Sequence, residues 1–325
     1  MTSETRHLAM LETAFGPVIL AAIRAADTVE ITVNPDGKLW VEKEGGYREV
    51  VADLARAHCD RIIRLVASHV GSECAAHAPI VSAELPGGGE RFEGLLPPTV
   101  SAPCFSIRKP ASRVFALNEY VEAGTISPMQ ELILSHAIES RENIVIAGGT
   151  GSGKTTFANA LLQEISKKSD RLVLIEDTRE LQCAAEDHAA LRTIPSIVSM
   201  RDLVRSALRL RPDRIIIGEV RGAEALDLLK AWNTGHPGGV TTLHANSADA
   251  ALVRLEQLCG EAVSSVPRSL IVEAVDLIVF LKRTPDGRKV TELKRVTGLT
   301  SLETFMTEDV TAPALTLVEP QEINP

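Results

Sequence analysis

Aromatic side chains are scarce in this sequence: Phe, Tyr and Trp together make up 3% of its 325 residues. Its cores must therefore be mostly aliphatic. Cysteine is equally sparse, with five residues at Cys59, Cys74, Cys104, Cys183 and Cys259, odd in number and without a C-x-x-C pair. That pattern argues against a disulfide framework or a cysteine zinc module and fits buried thiols in a reducing compartment. The first ten residues, MTSETRHLAM, lack a basic-then-apolar leader. The most apolar early run, FGPVILAAIRAA, is too short to span a bilayer and carries Arg24. The chain is thus expected to be cytoplasmic, with any membrane association peripheral. Positive charge is also in deficit, with 34 Lys and Arg against 43 Asp and Glu and a net charge of −9. A broad electrostatic footprint for nucleic acid is not expected.

The length suggests about two domains. Residues 9–26 read as a helix, despite Gly16-Pro17. Asn34-Pro35-Asp36-Gly37 then sits between alternating strands as hairpin turn chemistry. A helix is expected over 51–69. Short strands are expected around Pro86-Gly87-Gly88-Gly89 and at APCFSIRK. This gives an α+β N-terminal domain over 1–110, followed by a connector with a short helix over 111–128. From residue 129 the runs NIVIAGG, RLVLIED, RIIIGEV and GGVTTLHA are continuously apolar, as in strands buried on both faces, and helical patterns separate them. That alternation predicts an α/β domain with a parallel sheet over 129–300, closed by two strands around Pro285-Asp286-Gly287. Residues 301–325 hold five acids and no Lys or Arg in their last 25 positions. They are expected to form a partly disordered tail.

The most specific signal is GGTGSGKTT, Gly148 to Thr156, which fits G-x-x-x-x-G-K-[ST] between a strand and a helix. Gly148, Gly149, Thr150, Gly151, Ser152 and Gly153 would cradle phosphate with inward backbone N–H groups, aided by the helix N-terminus. Lys154 would reach the β- and γ-phosphates, and Thr155, with Thr156 beside it, would offer a hydroxyl to Mg²⁺. Glu176 and Asp177 end one apolar run and Glu219 ends another. In an open parallel sheet such ends face the ligand. Glu219 is the candidate for polarising an attacking water; Glu176 and Asp177 are the candidates on the metal side. Asp177 could instead cap TRELQ, and a strand-end acid can simply be solvated. His244, at the exit of GGVTTLHANS, could contact a γ-phosphate or that glutamate. No second His or Cys stands at ligand spacing to make it a metal site.

The order GGTGSGKTT, IEDTREL, LRLRPDRIIIGEVRGAEA, GHPGGVTTLHANS resembles the secretion ATPases of type II and type IV secretion and pilus-retraction systems. In that family these segments are the Walker A motif, the Asp box, the Walker B motif and the His box. Length, ITVNPDGKLWVE and FSIRKP are similar to the conjugal-transfer members. The long N-terminal extension and zinc module of type II members are absent from this sequence. The resemblance implies a RecA-like P-loop ATPase core with a smaller α+β N-terminal domain, using ATP and Mg²⁺. It also implies a homohexamer energising a conjugative type IV secretion system, in contact with that system's other components at the inner membrane. Nucleotide would then lie between the two domains, with Arg108 and Arg113 reaching toward its phosphates and Arg221 orienting the Asp-box acids. His244 would sense hydrolysis, with His236 in a lesser role. Arg201, Arg205 and Arg209 share one predicted helix face, either solvated or meeting an acidic neighbour. A DNA-translocating motor of similar core and a nucleotide-switched scaffold with negligible turnover are the rival readings.

Overall fold

The computed structural model describes residues 3–110, 113–194 and 196–310. The chain divides into two compact units, Met1–Arg113 and Val114–Pro325. The first unit opens with α1 (Ser3–Arg24), which breaks at Gly16 (φ 70°). The next residue explains the break: Pro17 has no N–H to donate and disfavours helical geometry in the residue before it. β1 (Thr28–Val33) and β2 (Lys38–Lys43) form the expected hairpin. β3 (Arg48–Asp53) was not expected. The helix read over 51–69 instead begins only at α2 (Arg56–Val70). Val50 and Val51 are exposed on this edge strand, so local pattern alone did not separate it from a helical start. β4 (Ile80–Glu84), β5 (Arg91–Leu95) and β6 (Cys104–Arg108) complete a six-stranded sheet in the order β3-β2-β1-β6-β5-β4. Aliphatic residues of α1, α2 and the sheet, with Phe15, Phe92 and Phe105, form its core.

The second unit begins with α3 (Leu117–Glu122) and α4 (Pro128–Glu139). Ser127 caps α4 by accepting from Gln130 N at 3.1 Å, with Pro128 at the first helical position. There follow β7 (Ile144–Gly148), α5 (Lys154–Ile165), β8 (Leu172–Glu176), β9 (His188–Arg192) and α6 (Met200–Ala207). Then come β10 (Arg214–Ile217), α7 (Glu224–Asn233), β11 (Val240–Leu243), α8 (Ala248–Gly260) and α9 (Arg268–Ala274). β12 (Leu277–Thr284), β13 (Gly287–Leu299) and β14 (Phe305–Asp309) end the described chain. The sheet order is β14-β13-β12-β7-β11-β10-β8-β9. β12, β7, β11, β10, β8 and β9 run parallel; β13 and β14 return antiparallel. The segment expected to open an acidic tail thus carries a strand, β14; residues 311–325 lie outside the described residues. β9 is also new: its residues alternate between exposed and half-buried, as on a sheet edge, and offer no apolar run to read.

The continuous apolar runs are explained by two cores. Val145, Ala147, Val173, Ile175, Ile215 and Ile217 face α6 to α9. Ile144, Ile146, Leu172, Leu174 and Ile216 face α3 to α5. Alternate residues of one strand enter opposite layers, so both sets must be apolar.

At the N-terminal ends of the strands a polar network closes the sheet. Buried Asn143 accepts from Gly238 N at 2.8 Å and Gly239 N at 2.9 Å, and donates to Ala274 O at 2.9 Å. Buried Arg214 donates to Asp170 at 2.6 Å, Ile138 O at 3.0 Å and Gly238 O at 3.3 Å. A Cβ on Gly238 (φ +83°) would lie 2.5 Å from that guanidinium, and one on Gly239 would lie 2.0 Å from Trp232 Nε1. The glycines before His244 therefore serve a close approach at the far end of its strand. Their neighbour His236 also lies at that end, away from the exit of β11. Asn143→Ala leaves two buried N–H groups without an acceptor. It should cost about 3 kcal/mol of unfolding free energy, read by urea denaturation.

Candidate functional site

The phosphate loop joins β7 to α5, as its motif requires. Gly151 (φ 70°) and Gly153 (φ 97°) take left-handed backbone that only glycine adopts readily. The loop thereby delivers Lys154 to the first position of α5, with Thr155 and Thr156 in its first turn, where helix N–H groups have no intrahelical partner. Lys154 is buried; its Nζ donates to Gly148 O and Gly149 O, each at 3.0 Å. Among the described residues, buried Ser152 Oγ has no hydrogen-bond partner. A cation curled over its own loop, helix N-terminal donors and an orphaned hydroxyl fit a polyphosphate site.

Strand order decides what stands beside this loop. β11 pairs with β7, Leu243 opposite Ala147, so His244 emerges next to Gly148. Its Nδ1 is 3.4 Å from Lys154 Nζ. β10 lies on the other side of β11, and two residues past it stands Glu219. Three hydrogen bonds fix that turn: Gly218 N to Ile175 O at 2.9 Å, Val220 N to Thr242 O at 2.9 Å, and the Thr242 hydroxyl to Gly218 O at 2.8 Å. His244 Nε2 lies 2.9 Å from Glu219 Oε1. The approach is close but misaligned, since among the described residues that buried oxygen accepts no hydrogen bond. Arg221 donates to Glu219 Oε2 at 2.5 Å and lies 3.6 Å from Asp177. A row of alternating roles results: Lys154, His244, Glu219, Arg221, Asp177.

Glu176 departs from the expectation of a metal-side acid. It is buried, and its Oε1 accepts from Glu180 N at 2.9 Å and Leu181 N at 2.8 Å. It therefore caps the turn that follows its own strand, the part considered for Asp177. Asp177 is exposed and accepts from the Thr193 hydroxyl at 3.0 Å. Among the described residues no group of three or more His, Cys, Asp or Glu gathers as a metal site. An ion at Thr155 would thus depend on nucleotide oxygens. Arg201 and Arg205 do meet an acid, but inside the chain: both reach Asp227 of α7, at 2.5 and 3.2 Å, and α6 ends before Arg209. Arg108 and Arg113 are exposed residues of the first unit.

One residue at the loop escaped the sequence reading. Arg288 Nε donates to Gly151 O at 3.3 Å. It reaches the loop because β12 pairs with β7, Leu281 opposite Gly148, which carries the β12–β13 turn to the same edge. The only sequence signal was a basic run around Pro285-Asp286-Gly287.

The family model described as "Type II/IV secretion system protein" matches residues 23–308. The chain belongs to this family. It is 49% identical over 298 residues to the probable conjugal transfer protein TrbB of Sinorhizobium fredii, covering 91% of each chain. It is 36% identical over 295 residues to the type IV secretion system protein PtlH of Bordetella pertussis, covering 79% of this chain and 86% of that one. Among solved structures it resembles the pilus retraction motor PilT with bound ADP (TM-score 0.63, 21% identity, 88% of this chain and 83% of that one). That likeness concerns the fold: the second unit of this secretion-family protein is a RecA-like α/β core. Family and phosphate loop together make the protein an ATP-hydrolysing enzyme. No helix among the described residues is long and apolar enough to cross a membrane.

Burial, and then the Lys154 cation, hold the His244 imidazole below its ordinary value of 6.5; Glu219 opposes them. The neutral ring can accept at the Nδ1 that faces Lys154, whereas imidazolium cannot. With the folded value depressed, the unfolded chain takes the proton first as pH falls. The stability this residue contributes is complete above about 6.5 and declines below it. An NMR titration of His244 should show a midpoint below 6.5, raised in Lys154→Ala and lowered further in Glu219→Gln.

Proposed function

We propose that the protein is the ATP-driven motor of a conjugative type IV secretion apparatus. It would act as a homohexamer on other components of that system at the inner membrane and cycle between states as ATP is bound and hydrolysed. The observation that carries the enzymatic part is the row from Lys154 through His244 to Glu219 and Arg221 at one edge of the sheet. The resemblance to conjugal transfer and type IV secretion proteins supports the setting.

In this reading the N–H groups of Gly149 to Thr156 grip the β- and γ-phosphates, and Lys154 exchanges its loop carbonyls for phosphate oxygens. Glu219, held on one oxygen by Arg221, would turn its other oxygen from His244 to the attacking water and orient that water toward the γ-phosphorus. Arg221 also ties that glutamate to Asp177. Arg108 and Arg113 would neutralise charge that builds on the phosphoryl group. Mg²⁺, taken up with the nucleotide, would be held by the Thr155 hydroxyl with Asp177 through water, and would supply charge neutralisation. Glu176 is left to shape the turn beneath. His244 touches both the lysine and the glutamate, so loss of the γ-phosphate would change its partners on two sides. Such a change of contacts is how a cleaved phosphate becomes a conformational signal.

Phosphate release and nucleotide binding on the same samples test this. Lys154→Ala should lose nucleotide affinity and turnover. Glu219→Gln should bind ATP like the native protein yet turn over at least ~100-fold more slowly. Release at the native rate in either variant would overturn the assignment.

A further inference from the structure

The β12–β13 turn carries four cations in a nine-residue run, LKRTPDGRK: Lys282, Arg283, Arg288 and Lys289. Strand register places them as two like-charged rungs, Lys282 opposite Lys289 and Arg283 opposite Arg288. Directly opposed residues of an antiparallel pair share a face, and like charges there repel. On the lysine face Asp286 offers partial relief, 3.8 Å from Lys289. On the arginine face, among the described residues, no carboxylate forms an ion pair with either Arg283 or Arg288, and both are exposed. This uncompensated face abuts the phosphate loop. Arg288 spends one N–H on Gly151 O, and its chain lies so close to Gly153 that a Cβ there would stand 2.9 Å from its Cδ.

The arginine is held in place from behind. Two residues on, Val290 N donates to Thr125 O at 2.9 Å and Val290 O accepts from buried Gln130 at 3.4 Å, which anchors the start of β13 to the α3–α4 connection. At the tip, Thr284 Oγ1 donates to Gly287 O at 2.9 Å. The turn is therefore a braced arm rather than a loose one. Among the described residues, no hydrogen bond engages the four N–H donors on its two Nη atoms, which stand beside a loop already suited to phosphate.

We propose that Arg288, with Arg283 behind it, contacts the phosphates of the nucleotide bound by the 148–156 loop of the same chain. A polyphosphate would relieve the repulsion between the two guanidinium groups and engage the planar donor fork that arginine presents to phosphate oxygens. This rests on the ATPase reading above and adds to it an arm of the second unit that acts without the first unit's arginines.

The test is calorimetric ADP binding at low and high salt, with ATP turnover and apo-protein melting measured on the same variants. Arg288→Ala should raise the Kd for ADP about tenfold, with a larger effect on the KM for ATP than on kcat. Arg283→Ala/Arg288→Ala should weaken binding further and flatten its salt dependence. Arg288→Lys should recover part of the affinity. The apo melting temperature should stay at the native value throughout. Native ADP affinity in Arg288→Ala would overturn the proposal. So would a loss that tracks a lowered apo melting temperature, with Arg288→Lys no better than alanine, since that is support of the loop and not contact with ligand. Failure of the native protein to bind ADP, or native binding in Lys154→Ala, would instead bring down the ATPase reading and this proposal with it.

Discussion

A single strand wedged between two others governs the chemistry of this protein. β11 hydrogen-bonds β7 on one side and β10 on the other, so the residue leaving β11 must stand between those leaving its neighbours. That residue is His244. Lys154 and Glu219 can therefore communicate only through an imidazole that touches both. Were β10 paired directly with β7, lysine and glutamate would meet as an ion pair, and the acid would be spent on the cation. The inserted strand keeps them apart and seats the imidazole between them.

The two ends of the same sheet are treated differently. At the N-terminal ends, Asn143, Arg214 and Asp170 bond one another's neighbourhoods thoroughly, beneath glycines whose Cβ atoms would find no room. At the C-terminal ends, among the described residues, stand an orphaned serine hydroxyl, a glutamate oxygen met only by the His244 ring, and Arg283 and Arg288 with no acidic partner, while Glu142 Oε2 and His236 Nδ1 are left unbonded at the other end. Buried polar atoms without partners are costly, and the two that flank the phosphate loop, Ser152 Oγ and Glu219 Oε1, stand where a bound nucleotide and its water would complete them. Aliphatic layers above and below hold that edge rigid by packing alternate residues of each strand into opposite cores.

Elements whose pattern is dictated by burial were legible. The four apolar runs, the hairpin at Asn34–Gly37 and the phosphate loop all announce themselves, because both faces of a central strand need apolar side chains and a tight loop needs glycine. Edge elements were not. β3, β9 and β14 alternate or expose their residues, and only pairing with a neighbour distinguishes them from helix, loop or tail. Glu176 and Asp177 show the same limit within a site. Glu176 is the last residue of β8 and Asp177 the first beyond it; one is buried and caps the turn that follows while the other stays exposed.

The sequence by itself determined the phosphate-loop motif, its place between a strand and a helix, and the class of sheet that carries it, because those follow from spacing, glycine and periodicity along a short stretch of chain. Only the tertiary structure decided which acids face the loop, that Arg201 and Arg205 are consumed by Asp227, and that Arg288 lies against Gly151 from 137 residues away. Those depend on strand order and on which turn reaches which edge. Such relations are set when distant segments pair, and no local pattern encodes them.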